Sequence, residues 1–251
     1  MNPMKLSTLI VASTALLATA CGGTEGNTAG GTGPEVTAEP VVAPNNGDWS
    51  TIIRKTSDGG FIMGNPDAKV KLVEFASMTC PHCATFEEEG AKPLVDNYVK
   101  KGLVSWELRN FVRDPFDMTA TLLARCGGEA NYFGMTRSLF AEQRNWMGEL
   151  QKASEAQLGA LQSMPPAQQF STIADLANLK QFAAMRGVPR AKADQCLSNE
   201  AEINTLVQMN SDAASNHNIP GTPSFLINGK LVESTAAWAQ LEPKIKEALA
   251  D

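Results

Sequence analysis

Histidine is scarce in this 251-residue chain, with only His82 and His217, and no run of Lys or Arg occurs anywhere in it. With 21 basic residues against 27 acidic ones the formal net charge is -6, so no electrostatic footprint for nucleic acid is present. No second Cys-x-x-Cys accompanies the one at Cys80-Pro81-His82-Cys83, and two histidines do not complete a four-ligand zinc set. A metal centre is therefore not expected, nor is a cofactor. No internal repeat is found. The one uncharged, largely apolar run of note, Leu6 to Ala20, has 15 residues, fewer than the roughly 20 that a membrane-crossing helix needs. What remains is an ordinary globular composition, 43% hydrophobic and 19% charged, and a length that suits one to two domains.

Five cysteines is an odd number. Cys21 stands directly after the apolar run, which follows Lys5 and ends in small residues, so residues 1-20 are read as an export signal cut after Ala20. Leu17-Ala18-Thr19-Ala20-Cys21 looks like a bacterial lipobox, with Ala18 where Leu is usual; Ala18-Thr19-Ala20 would also serve a simple signal peptidase. Lipidation of Cys21 accounts for the unpaired thiol, which plain cleavage would leave free in an oxidising compartment. From Gly22 to Asp48 there are seven glycines, three prolines, four acids and no Lys or Arg. Residues 21-48 are read as a lipidated cysteine and disordered tether, reaching roughly 30 Å from the membrane. Folded structure is expected from Trp49.

Trp49 to Ile53 reads as a short strand and Val70 to Ala76 as a nearly continuously apolar one. The latter leads into Cys80, after which Phe86, Leu94, Val95, Tyr98 and Val99 share a helical face, interrupted by Pro93 and stopped at Gly102. Val104 to Leu108 alternates as a strand, which completes a strand-helix-strand unit. From Asp114 onward the periodicity turns helical, through Leu122, Phe133, Phe140 and Phe170, as far as Asn218. Ser224 to Ile227, Asn228-Gly229 and Lys230 to Val232 form a hairpin signal with a type I′ turn. A closing helix carries Trp238, Leu241, Ile245 and Leu249 on one stripe, with a helix-breaking Pro243 that the pattern does not place.

At Cys80-Pro81-His82-Cys83 the pattern carries chemistry. With Cys80 as helix N-cap and Pro81 in the first turn, the unpaired N–H groups that follow point at the Cys80 sulfur and favour its thiolate. Protonated His82 adds positive charge in the same direction. A stabilised thiolate leaves a mixed disulfide readily, which suits a protein that donates its disulfide. Cys83, one turn further in, is expected to be the less exposed, resolving thiol.

The run Glu74 to Cys83, followed far downstream by Gly221-Thr222-Pro223-Ser224-Phe225, resembles the DsbA-like thiol-disulfide oxidoreductases of the thioredoxin superfamily. The resemblance spans Trp49 to Asp251. It implies an α/β thioredoxin fold with an inserted all-helical domain: first half 49-113, helical insertion 114-212, second half 213-251. It further implies a cis peptide at Thr222-Pro223, facing the cysteines and offering backbone to an extended client. Thr222 departs from the apolar residue that some oxidants of the family carry there. Glu74 matches an acid buried beneath the cysteines, where it either relays the Cys83 proton or pairs with a basic side chain. Some family members carry a second disulfide in the insert, which Cys126 and Cys196 would form; the alternative is two buried reduced thiols.

The leading functional expectation is an exported, lipid-anchored, monomeric disulfide oxidase of the bacterial periplasm. It would pass the Cys80-Cys83 bond to unfolded secreted cysteine-containing proteins and be recharged by a DsbB-like quinone-linked membrane oxidase. The alternatives are a tethered reductase or isomerase kept reduced by a membrane electron donor, and a non-catalytic metal- or peptide-binding module.

Overall fold

A computed structural model describes residues 39-44 and 47-251. The export signal and Cys21 lie outside the described residues, as does most of the tether. The described part of the tether departs from expectation. Ala43 is buried, Val41 N–H donates to the Lys101 carbonyl at 2.9 Å, and the Trp49 indole donates to the Val41 carbonyl at 2.7 Å. The chain thus engages the folded body before Trp49.

The strand expected at Trp49 to Ile53 is also corrected. Trp49–Thr51 is a 3-10 turn, because Asp48 caps it by accepting the Ser50 N–H and hydroxyl. Strand β1 begins only at Ile53 (Ile53–Lys55) and pairs antiparallel with β2 (Phe61–Met63). The apolar run forms β3 (Val70–Ala76), and the alternating segment after Gly102 forms β4 (Val104–Asn110). These two are parallel neighbours, with Glu74 opposite Leu108. The hairpin is β5 (Ser224–Ile227) and β6 (Lys230–Leu231), turned by Asn228 and Gly229 at φ 49° and 80°, as a type I′ turn requires. The sheet order is β1-β2-β4-β3-β5-β6, so β3 is interior and β5 lies antiparallel beside it.

Period two along β3 divides its side chains. Val70, Leu72 and Ala76 join the main core, whereas Val73 and Phe75 join a smaller cluster with Ala213, Ile219 and Leu226 on the other face. Glu74 is in phase with Leu72 and Ala76, so the fold commits it to the face that packs the cysteine-bearing helix.

That helix starts as α1 (Pro81–Phe86) and continues through a π segment (Glu87–Ala91), α2 (Lys92–Leu94) and a second π segment (Val95–Val99). The two wide turns flank Pro93, whose missing N–H cannot close a regular ladder. Gly102, at φ 71°, ends the crossover. Between β4 and β5 the chain is helical: α3 (Pro115–Arg125), α4 (Glu129–Ala141), α5 (Gln143–Leu150), α6 (Glu155–Leu161), α7 (Pro166–Leu176), α8 (Leu179–Ala184), α9 (Arg190–Leu197) and α10 (Glu200–His217). A disulfide joins Cys126, at the end of α3, to Cys196 in α9. The last element, α11 (Trp238–Ala250), accommodates Pro243 within it and buries Leu241, Ile245 and Leu249.

Candidate active site: a buried dithiol at a helix N-terminus

Strand β3 delivers the chain to a tight turn, Ser77 to Cys80, and the turn delivers Cys80 to the N-cap of α1. Cys80 has extended backbone, φ -83° and ψ 119°, and Pro81 opens the helix where its missing N–H costs nothing. Cys80 and Cys83 are free thiols, both buried. Their acidities diverge. Hydrogen bonding from the Cys83 thiol, helped by the Thr222 side chain and the backbone N–H groups of Cys83 and His82, outweighs burial and pulls Cys80 down to about 5. Cys83 moves the other way, well above the ordinary thiol range, because it is desolvated and lies beside the charge that Cys80 takes up. His82 is exposed, and what reaches the sulfur directly is its backbone N–H.

The loop before β5 closes the site from the far side. Thr222-Pro223 is a cis peptide, and the Thr222 carbonyl oxygen lies 3.2 Å from Cys80 Sγ. A thiol donates to that oxygen; a thiolate cannot. The buried Thr222 hydroxyl oxygen has no partner in the dithiol, which leaves its proton free for the thiolate once Cys80 ionises. Beside this loop opens a cavity of about 540 Å³ that runs from Pro220 to Ala236.

Glu74 is 1% exposed, and its one hydrogen bond comes from the Trp106 indole at 3.0 Å. No ion pair reaches it among the described residues, so the basic partner considered for it is not there. Burial, then the nearby Glu87 carboxylate, pushes Glu74 up to about 8, and Cys80 adds to the rise. At neutral pH the group is mostly protonated. Glu87 is itself raised by burial and is held by Arg137 at 2.9 Å.

Several residues at the site carry no signal in the sequence. Asp117, fully buried in α3, accepts the Ser77 hydroxyl at 2.6 Å, the Met78 N–H at 2.8 Å and the Arg113 N–H at 3.0 Å. Arg113 donates to the Ser77 and Thr79 hydroxyl oxygens, both at 2.9 Å. Gln143 donates to the Met78 and Cys80 carbonyls. Among the described residues no group of three or more His, Cys, Asp or Glu side chains is placed to hold a metal, and no helix is long and apolar enough to cross a membrane.

A family model described as thioredoxin matches residues 56-247. The chain belongs to the thioredoxin family. Within it, the DsbA-like members share its thioredoxin fold with a helical insertion. A protein-disulfide isomerase from Novosphingobium aromaticivorans is 39% identical, with a TM-score of 0.75 over 78% of this chain and 100% of that one. The DsbA-like protein alpha-DsbA1 of Wolbachia pipientis has the same fold at 20% identity, with a TM-score of 0.62 over 78% of this chain and 96% of that one. A Rickettsia felis relative, provisionally named a protein-disulfide oxidoreductase, is 27% identical over 175 residues, or 70% of this chain and 55% of its own. The chain spans only 55% to 61% of the length of the Rickettsia relatives that it matches.

Proposed function

We propose that this member of the family is an exported protein disulfide oxidase whose catalytic pair is Cys80 and Cys83. The observation that carries the reading is the opposite displacement of the two thiols: the Cys83 thiol, with Thr222 and the first N–H groups of α1, lowers Cys80, while burial and the charge on Cys80 raise Cys83. Stabilising the Cys80 thiolate stabilises the dithiol relative to the disulfide, so the disulfide is a strong oxidant. A client thiolate attacks Cys80 Sγ, and the Cys80-Cys83 bond breaks with its electron pair on Cys83. Cys83, whose acidity is weak, takes up a proton, and the protonated Glu74 carboxyl is the source proposed for it. A second client thiolate then attacks the client sulfur of the mixed disulfide and expels the Cys80 thiolate. The client gains a disulfide and this protein ends as the dithiol.

Thr222 and Pro223 present backbone to the client strand, while Pro81 and His82 shape the mouth of the site. Cys126-Cys196 is read as structural. The sequence of residues 1-48 supports export to a bacterial periplasm with a lipid anchor at Cys21, and a membrane oxidase of the DsbB type would restore the disulfide. The name of the Novosphingobium relative supports a second reading, an isomerase or reductase held as the dithiol. Equilibration with glutathione separates the oxidase from the reductase, and repair of a scrambled-disulfide client is the measurement that reports an isomerase. An oxidase is expected toward the DsbA end of the scale, about -120 mV, whereas a value near that of thioredoxin, about -270 mV, overturns the oxidase reading.

A further inference from the structure

The turn that carries the nucleophile is fastened to a distant part of the chain by one neutral side chain. Gln143 opens α5 where the backbone breaks from α4 at Glu142, φ -101° and ψ 13°, and the Trp146 indole locks that corner by donating to the Leu139 carbonyl at 3.0 Å. From there the Gln143 amide nitrogen donates to the Met78 carbonyl at 2.8 Å and to the Cys80 carbonyl at 2.9 Å. Its two hydrogens are consumed by the two acceptors, and the residue is 5% exposed, so water does not substitute for it.

The second of these bonds matters for the chemistry. Two peptide planes flank Cys80. The one before it is held by the Cys80 N–H, which donates to the Ser77 carbonyl at 3.1 Å. The one after it has no N–H, because Pro81 follows. Its carbonyl is held by the Ala84 N–H at 3.2 Å, a long helical bond, and by Gln143. Rotation of that plane swings the start of α1 relative to the sulfur, and with it the His82 and Cys83 N–H groups that stabilise the thiolate. Arg113 and Asp117 grip the turn at residues 77 to 79; Gln143 is the side chain that reaches the peptide of Cys80 itself.

We propose that Gln143 is a positioning residue for the thiol-disulfide reaction, which pins the Cys80-Pro81 peptide and thereby keeps the first N–H groups of α1 aimed at the Cys80 sulfur. This rests on the assignment of Cys80 as nucleophile. The test compares the full chain with Gln143→Met, which fills similar volume without donors, and Gln143→Asn, which keeps the amide on a shorter arm. Thiolate absorbance across pH and the equilibrium constant with glutathione are read for each.

Gln143→Met is expected to raise the Cys80 titration midpoint by about one unit and to shift the glutathione equilibrium about tenfold toward the disulfide form, the scale of one or two lost hydrogen bonds. Gln143→Asn, which can still reach one carbonyl, is expected to fall between. If Gln143→Met does not fold, Gln143→Asn alone decides. A midpoint and an equilibrium constant within twofold of the unaltered protein overturn the proposal, as does an equal loss of stability in the disulfide and dithiol forms, which marks packing alone. Failure of the unaltered protein to exchange with glutathione would instead overturn the oxidoreductase reading, and the thiolate titration would still report on Gln143.

Discussion

Cys80 faces two kinds of partner at Thr222, and they pull in opposite directions. The carbonyl accepts only from the thiol and so favours protonation, while the hydroxyl donates only to the thiolate. The midpoint near 5 reflects the donors winning together. Thr222→Val keeps the shape and the carbonyl but deletes the donor. Cys80 is therefore expected to titrate about one unit higher in this variant, with a correspondingly weaker oxidant, since one charge-assisted hydrogen bond is worth roughly 1.5-3 kcal/mol before compensation. Thiolate absorbance at 240 nm checks it, and an unchanged midpoint would assign the stabilisation to Cys83 and the helix N–H groups alone.

Glu74 gives a second test at this scale. Its carboxyl is raised from the ordinary carboxylate value to about 8. The folded state thus holds the proton more tightly than the unfolded chain, so the contribution to stability is complete below about 4.5 and is lost as pH rises through about 8. In the disulfide form, where neither active-site thiol titrates, stability is expected to decline across that window, and Glu74→Gln is expected to flatten the decline. Urea midpoints measured between pH 4 and 9 decide it; parallel profiles for the two proteins would mean that Glu74 does not titrate there.

At the scale of elements, the Ser77-to-Cys80 turn is held more firmly by helices far along the chain than by its own strand. Asp117 is the centre of that hold: the groups that meet its carboxylate, from Ser77, Met78, Arg113 and Thr121, are all donors. Asp117→Asn is nearly isosteric, yet it places an N–H₂ against N–H and O–H donors. A loss of roughly 3 kcal/mol is expected in urea unfolding at pH 7, with the active-site turn loosened. A loss below about 1 kcal/mol would show that the turn does not depend on this carboxylate. Burial raises Asp117 to about 6, which adds in the same sense as Glu74 to the decline of stability with pH.

These contacts explain what was legible in the sequence. Strand-helix-strand, the Asn228-Gly229 hairpin and the Cys80 N-cap are written in local periodicity and turn chemistry, so they could be read directly. Glu74 was visible as an acid in an apolar strand, and its face follows from period two. Asp117 and Gln143 were not legible, because their partners at Ser77 to Cys80 lie 39 to 65 residues away and no spacing rule links them. The misread strand at Trp49 has a different, local origin: Asp48 accepts the Ser50 N–H and hydroxyl and so starts a turn where the residues after it suggested a strand.

For the whole molecule, the Cys126-Cys196 bond closes a loop of 70 residues that contains α4 to α8 and most of α9. It lies at the end of α3 away from Asp117, and the donors around Cys80 do not include either of its residues. Stability and reactivity should therefore separate. Replacing both cysteines with alanine is expected to lower unfolding free energy by about 4 kcal/mol on the chain-entropy account, because the unfolded chain regains the freedom the crosslink removes. The Cys80 midpoint near 5 should stay in place, since α3, Asp117 and the helix N-terminus keep their contacts. A pair of measurements on the double variant decides it: denaturant unfolding for the first effect, thiolate titration for the second. A Cys80 midpoint that moved by a unit or more would mean that the crosslinked helices transmit strain through α3 to the Ser77-to-Cys80 turn, and the bond would then belong to the redox machinery as well as to the scaffold.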